Sequence, residues 1–409
     1  MPFPLRIREV PVRPRTPFAT LAVGLVLTVT ACGGGSSTSS SGGDGPIEIG
    51  MITSLTGSLQ TLGTEGRKAA ELAVDQINAD GGVLGRQLKL TVKDDKSLPD
   101  QSVLAFNAFK DQGVAAVLGS PSGGSALATL PAVDRAEIPY LSLTPADEQV
   151  APVHPYVFVV PALASDYAER LLQYYRSEGI TRLAVAYDTK TSYPTSGYRA
   201  MKAMAAKYGV EIVATEKIQS TTSDFSAVFT HVKGTDAQAL AVWVTGPASV
   251  VLTKQYAASG LDIPISFTGS QASKLWLDPA GRAAEGAIVA SSIGVVGDTL
   301  PDGAQKKAIE AVDQPFQDKY DYQPPQFAQD GYTGVQLLAA AIEQARSSDH
   351  EKIRQAMEKL TLTTPNGTYR FSAENHSGLS ADYISVNSVT DGAFVPTAWS
   401  ESELEKVAK

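Results

Sequence analysis

Val117-Leu118-Gly119-Ser120-Pro121-Ser122-Gly123-Gly124-Ser125 decides how the rest of the chain is read. Ala115 to Leu118 is a short apolar run, the pattern of a parallel strand buried on both faces. After Ser125, Ala126, Leu127, Leu130 and Val133 recur at helical spacing. The chain therefore leaves a strand, turns through glycine and serine, and enters a helix. The first N–H groups of a helix have no internal partner, and its dipole is positive there. Small residues let a ligand come close to such a backbone, and Ser122 and Ser125 add hydroxyls. The turn suits a small anion, most simply a carboxylate. It suits an ordinary serine helix cap equally well.

Outward from this turn, the same alternation repeats. Toward the N-terminus, strand patterns at Ile47–Ile52 and Leu88–Val92 alternate with helical faces carrying Ala69, Leu72, Ala73 and Ile77, then Val103, Phe106 and Phe109. Toward the C-terminus come strands at 138–143 and 156–160. A second alternating series follows, with strands at 183–187, 210–214, 239–244, 263–268 and 287–290. Helical patterns follow at 304–320, 331–345 and 351–360, a segment expected to hold no strands. The end reads as a hairpin about Asp391-Gly392. Alternation of this kind demands parallel sheets covered on both faces, and its length suggests two lobes. In such sheets ligands bind beyond the carboxyl ends of the strands. The turns to search are 53–57, 119–125, 144–148, 188–197, 245–247 and 269–272.

The beginning of the chain is of another kind. Arg6, Arg8, Arg13 and Arg15 precede an apolar run from Phe18 to Val29, too short for a comfortable bilayer span. Val29-Thr30-Ala31 then leads to Cys32, the only cysteine. This resembles a bacterial lipoprotein signal, which implies cleavage after residue 31 and lipidation of Cys32. Residues 32–45, rich in Gly and Ser, form a flexible tether. Loss of 1–31 removes four Arg and one Glu and deepens the formal charge from −9 to −12. So acidic a domain argues against nucleic acid as a partner.

Enzyme signatures are missing. Gly119-Ser120-Pro121-Ser122-Gly123 puts proline where a nucleophile elbow needs serine. His154, His231, His350 and His376 are not at metal-ligand spacing. Gly81-Gly82-Val83-Leu84-Gly85 is not a dinucleotide fingerprint, and it follows a helix. No metal and no cofactor is expected.

Several stretches together resemble one family: Gly50-Met51-Ile52-Thr53-Ser54-Leu55-Thr56-Gly57, Ala73 through Gly85, Asp94-Asp95, Pro139 through Ala146, and Ala258-Ser259-Gly260-Leu261. From about Ile47 to Pro396 the chain resembles the type I periplasmic binding proteins, and within them the leucine/isoleucine/valine-binding receptors of ABC transporters. The resemblance implies two Rossmann-like lobes joined by a three-segment hinge. Lobe 1 would be 46–162 plus 293–371, and lobe 2 would be 163–292 plus 372–409. It implies a monomer that captures a small molecule in the interlobe cleft, is anchored by lipid, and delivers to permease subunits. A ligand-sensing module of the same architecture is the second reading.

Site positions carry over one at a time. Ser122 and Gly123 match the family's carboxylate-binding turn. Ala146 matches a backbone carbonyl that receives the ligand ammonium. Tyr193 matches a cleft aromatic of the second lobe, and Phe327 an apolar wall. Glu148 stands where a Ser or Thr is usual, and Gln271 where an ammonium-binding acid is usual. An aromatic expected near Leu62 is missing. Either Glu148 supplies the charge for an amino-acid-like ligand, or the ligand is an organic acid or amide without ammonium and Gln271 donates a neutral hydrogen bond.

Overall fold

The computed structural model describes residues 45–407. The expected leader, Cys32 and the tether up to residue 44 lie outside them. The chain opens with β1 (Ile47–Thr53), α1 (Gln60–Ala79), β2 (Leu88–Asp94), α2 (Pro99–Gln112), β3 (Ala116–Leu118), α3 (Gly123–Ala136), β4 (Tyr140–Ser142) and β5 (Val157–Val159). These strands form one parallel sheet in the order β2-β1-β3-β4-β5. β3 is fully buried, as its unbroken apolar run requires.

A second series follows: α4 (Ala164–Ser177), β6 (Arg182–Asp188), α5 (Ser192–Met204), β7 (Glu211–Ile218), α6 (Ser226–Lys233), β8 (Ala239–Trp243), α7 (Ala248–Ser259), β9 (Ile265–Phe267), α8 (Lys274–Ala280) and β10 (Ile288–Ser292). The chain then makes α9 (Ala304–Tyr320), α10 (Gln326–Ala345), α11 (His350–Met357), β11 (Thr361–Thr364) and β12 (Gly367–Arg370). It ends with β13 (Ile384–Thr390), β14 (Ala393–Pro396) and α12 (Ala398–Val407). The second sheet has the order β14-β13-β10-β9-β8-β6-β7, with β13 and β14 antiparallel at one edge. So the chain passes between the sheets after β5, after β10 and again after β12.

Two features differ from the sequence reading. The segment after β10 does contain strands, since β11 and β12 pair as an antiparallel hairpin. Their runs, Thr-Leu-Thr-Thr and Gly-Thr-Tyr-Arg, carry little apolar pattern. The final α12 is likewise unforeseen. It is held by Arg170 of α4, whose Nε donates to the Ile384 carbonyl at 2.8 Å and whose guanidinium lies 4.5 Å over the Trp399 ring. A buried arginine so placed covers apolar surface with its stem while its charge is hydrogen-bonded.

α10 is the element that carries the post-β10 segment back onto the first sheet. It packs on α1 through Gly66 of one helix and Gly331 of the other, while Gly334 faces Leu118, Leu143 and Val160 of the first lobe. The approach is backbone to backbone. A Cβ on Gly331 would lie 2.0 Å from the Gly66 carbonyl oxygen, which no side-chain shift relieves. Gly331→Ala is therefore expected to force the helices apart and cost about 1–3 kcal/mol or more. Urea unfolding of wild type and variant checks this.

Candidate functional site

The loops beyond the strand ends are held by buried carboxylates. Asp95, just after β2, accepts from the Ser54 hydroxyl at 2.7 Å, the Ser97 N–H at 2.9 Å and the Ser120 hydroxyl at 2.5 Å. The Ser120 oxygen accepts in turn from the Ser122 N–H at 3.0 Å. One anion thus fixes the loops after β1, β2 and β3, and charge-assisted bonds of this kind are the strong ones. Its neighbour Asp94 accepts from the Thr56 hydroxyl and from the N–H groups of Leu55, Thr56 and Lys96. Although burial alone would raise its pKa, these bonds hold it below the usual carboxylate value.

The turn after β3 comes out of this network in place. Ser122 is the extended N-cap of α3, and its oxygen accepts from the Ser125 N–H at 3.3 Å. The Gly123 and Gly124 N–H groups have no acceptor among the described residues. Opposite lies the N-terminus of α5, held by the same device: Asp188, buried at the end of β6, accepts from the Lys190 N–H at 2.8 Å and the Thr191 hydroxyl at 3.0 Å. The two lobes touch here. A Cβ on Gly123 would fall 1.8 Å from the Ser192 oxygen.

Between them is a cavity of about 360 Å³. It draws its wall from both lobes, with the N-termini of α3 and α5, the loop leading into α7, and the N-terminus of α10. Ser122, Gly123, Tyr193 and Phe327 are all in that wall. The Tyr193 ring is buried edge-to-face against Tyr167 at 6.4 Å and Trp243 at 5.6 Å. Burial pushes its hydroxyl pKa up, so it stays neutral. Leu59 and Leu62 supply apolar wall, at and near the position where the resemblance implies an aromatic.

The other three expected positions lie outside the wall, and each for a reason. The Ala146 carbonyl, expected to meet a ligand ammonium, already accepts from the Gln149 side-chain amide at 3.0 Å. Glu148 reaches across to α5 instead of into the cavity: it accepts from the Ser196 hydroxyl at 2.6 Å and pairs with Arg199 at 3.0 Å. Gln271 is fully buried, with its amide donating to the Val244 carbonyl at 3.0 Å and its oxygen accepting from Ser270 at 2.9 Å. Each of the three already has a partner within the protein.

Sequence reasoning missed Lys190, Ser192, Gln326 and Asp330, all in the wall. Lys190 and Ser192 lie in the 188–197 turn that the strand-end rule singles out. Gln326 and Asp330 start a helix that follows no strand, so that rule passes them over. Gln326 joins the lobes at the cavity floor: its amide donates to the Tyr167 hydroxyl at 2.6 Å, and its oxygen accepts from the Ser292 N–H at 2.9 Å. Asp330 is 4% exposed, and burial pushes its pKa up to about 7 against the lowering effect of a bond from Asn366.

A larger, more open groove of about 640 Å³ lies between α6 and α7, but it is lined only by residues of the second sheet's helices and their ends. Among the described residues no cluster of His, Cys, Asp and Glu is placed to hold a metal, and no helix is long and apolar enough to cross a membrane.

Two sheets with a cavity across their strand ends define a two-lobed solute-binding protein. Comparison with known proteins agrees. The periplasmic binding protein family matches residues 46–393, and the chain belongs to that family. The leucine-, isoleucine-, valine-, threonine- and alanine-binding protein of Pseudomonas aeruginosa is 28% identical over 346 residues, spanning 80% of this chain and 85% of its own. An extracellular ligand-binding receptor from Rhodopseudomonas palustris superposes with a TM-score of 0.79 at 21% identity, covering 86% of this chain and 99% of its own. An ABC-transporter solute-binding protein from R. palustris in complex with benzoate gives 0.75 at 21% identity, covering 86% and 95%. Members of this family are solute-binding proteins and not enzymes.

A bulky side chain at the contact of the two lobes is expected to block closure while leaving each lobe intact. Gly123→Val should abolish solute binding with an unchanged circular-dichroism spectrum and urea midpoint. Titration calorimetry beside the unfolding curve checks both halves.

Proposed function

We propose that this chain is the extracytoplasmic receptor of an ABC importer, which captures an amino acid or a similar small organic acid between its lobes. The observation that carries this is the interlobe cavity, walled by helix N-termini from both sides, with unclaimed N–H groups at Gly123 and Gly124. Those groups, with the Ser122 hydroxyl, suit a carboxylate. Leu59, Leu62 and Phe327 suit an apolar side chain. The cavity is ample for one amino acid. The Pseudomonas relative's name supports the amino-acid class. The structure of the benzoate-bound receptor shares the fold alone and leaves the ligand class to this chain's own residues.

A screen for thermal stabilisation tests the reading. A solute bound only to the folded state, present at ~100 times its dissociation constant, adds about 2.7 kcal/mol. Stabilisation by a member of a panel of amino acids and small organic acids is expected. No response to any of them would contradict the reading.

The receptor works at a membrane, and Cys32 carries its anchor. One acyl chain holds weakly, with about 0.8 kcal/mol per buried methylene, so stable attachment needs more than one. Cys32→Ser is expected to move the protein from the membrane fraction to the soluble one. An unmodified Cys32 at the N-terminus of the mature wild-type protein, seen by mass spectrometry, would contradict the anchor.

A further inference from the structure

We propose that Asp330 selects for a positively charged amine on the bound solute, so that the cavity takes a small amine-bearing acid and rejects its amine-free counterpart. The proposal rests on reading the cavity as a solute site and adds the chemical class of the solute.

Asp330 is in the second turn of α10, in the cavity wall. Its Oδ1 accepts from the Asn366 amide at 2.7 Å. Its Oδ2 has no hydrogen-bond partner among the described residues, yet it is not one of the sealed, unpartnered polar atoms. The small void behind it, toward Pro161 and Leu379, has no room for water. What little of Asp330 is accessible therefore faces the main cavity. Among the described residues, Asp330 and Lys190 are the only formally charged ones in the wall, and Lys190 is exposed. No Lys, Arg or His pairs with Asp330 among the described residues.

A buried carboxylate with neither a counter-charge nor a full set of hydrogen bonds is unfavourable. Burial accordingly pushes its pKa up to about 7. An ammonium entering the closed cavity supplies both the charge and the donor that Oδ2 lacks. The one acid that the sequence offered for this task, Glu148, is committed to Arg199 outside the wall. Gln271, which stands where an acid is usual, carries no charge and is tied to Val244.

The plain structural role would be to pin the β11–β12 hairpin to α10 through Asn366. Asp330→Asn separates the two roles, since the amide keeps an oxygen for Asn366 and loses the charge. Matched pairs serve as probes: L-leucine with 4-methylpentanoate, L-phenylalanine with 3-phenylpropionate, L-alanine with propionate. Each is titrated against the full mature wild-type chain and the variant, at pH 6 and pH 8. The wild type is expected to bind an amino acid and not its deaminated partner. Asp330→Asn is expected to weaken the amino acid ~30-fold or more, as loss of one member of a buried charged pair does. Only the ionised Asp330 pairs with ammonium, so wild-type affinity should rise with pH toward and through about 7, by up to about tenfold per unit below it, and the variant should be flat. Of the groups facing Asp330, Tyr167 of α4 and Tyr369 of β12 are held well above their ordinary value by burial, and Asn366 does not titrate. Burial also pushes Asp166 of α4, next to Tyr167, and Asp313 of α9, against Gln329, up to about 7, so the flat profile of Asp330→Asn is what assigns the pH dependence to Asp330.

Equal or tighter binding of the deaminated acids to the wild type would overturn the proposal and leave the receptor reading standing. So would a variant that folds and keeps its amino-acid affinity within about threefold. The wild-type comparison decides the matter even if the variant is unstable. If neither series binds, this proposal and the amino-acid or organic-acid reading fall together.

Discussion

The Asp95 carboxylate is the constraint on which the first half of the site depends. It has no exposure, and its bonds to Ser54, Ser97 and Ser120 join the loops after three neighbouring strands. A buried charge is tolerated only when hydrogen bonds replace its water, so the loops must converge on it. Their convergence sets Ser120, Ser120 sets the Ser122 N–H, and the start of α3 is left with open donors toward the cavity. Asp188 does the same for the start of α5 in the other lobe. Two strand-end acids outside the cavity wall thus aim the two helix N-termini that line it.

Neither lobe holds a whole site. α3 and α10 come from one side, while α4, α5 and the loop before α7 come from the other. Gln326 with Tyr167 is a buried tie across the cleft. Glu148 with Arg199 is an exposed one, with side chains 34% and 66% exposed, and pairs that exposed contribute about 0–1 kcal/mol. A ligand shifts a two-state equilibrium only by its differential affinity for the two states. The Gly66–Gly331 contact lets α10 lie hard against α1, which fixes Gln326, Phe327 and Asp330 to a rigid lobe.

The alternation of apolar strands with helical faces made the two sheets legible, because parallel strands buried on both faces must be almost wholly apolar. The Gly/Ser turn after β3 was legible for the same reason, as was the Tyr193 loop. Features resting on single polar contacts were hidden. Nothing in the sequence around Glu148 says that Arg199 on a later helix captures it, or that Val244 takes the Gln271 amide. Asp330 was hidden by its setting: within a helix, the sequence does not tell a cavity-facing acid from a solvated one. The β11–β12 hairpin was missed because these strands of four residues show no apolar rhythm.

A crystal structure of the liganded protein measures directly where a solute sits. The expected result is solute density in the interlobe cavity, with a carboxylate oxygen at ~2.7–3.2 Å from the Gly123 N–H or the Ser122 hydroxyl. Its side chain should run toward Phe327. Density in the α6–α7 groove instead, with only water between Gly123 and Phe327, would contradict it.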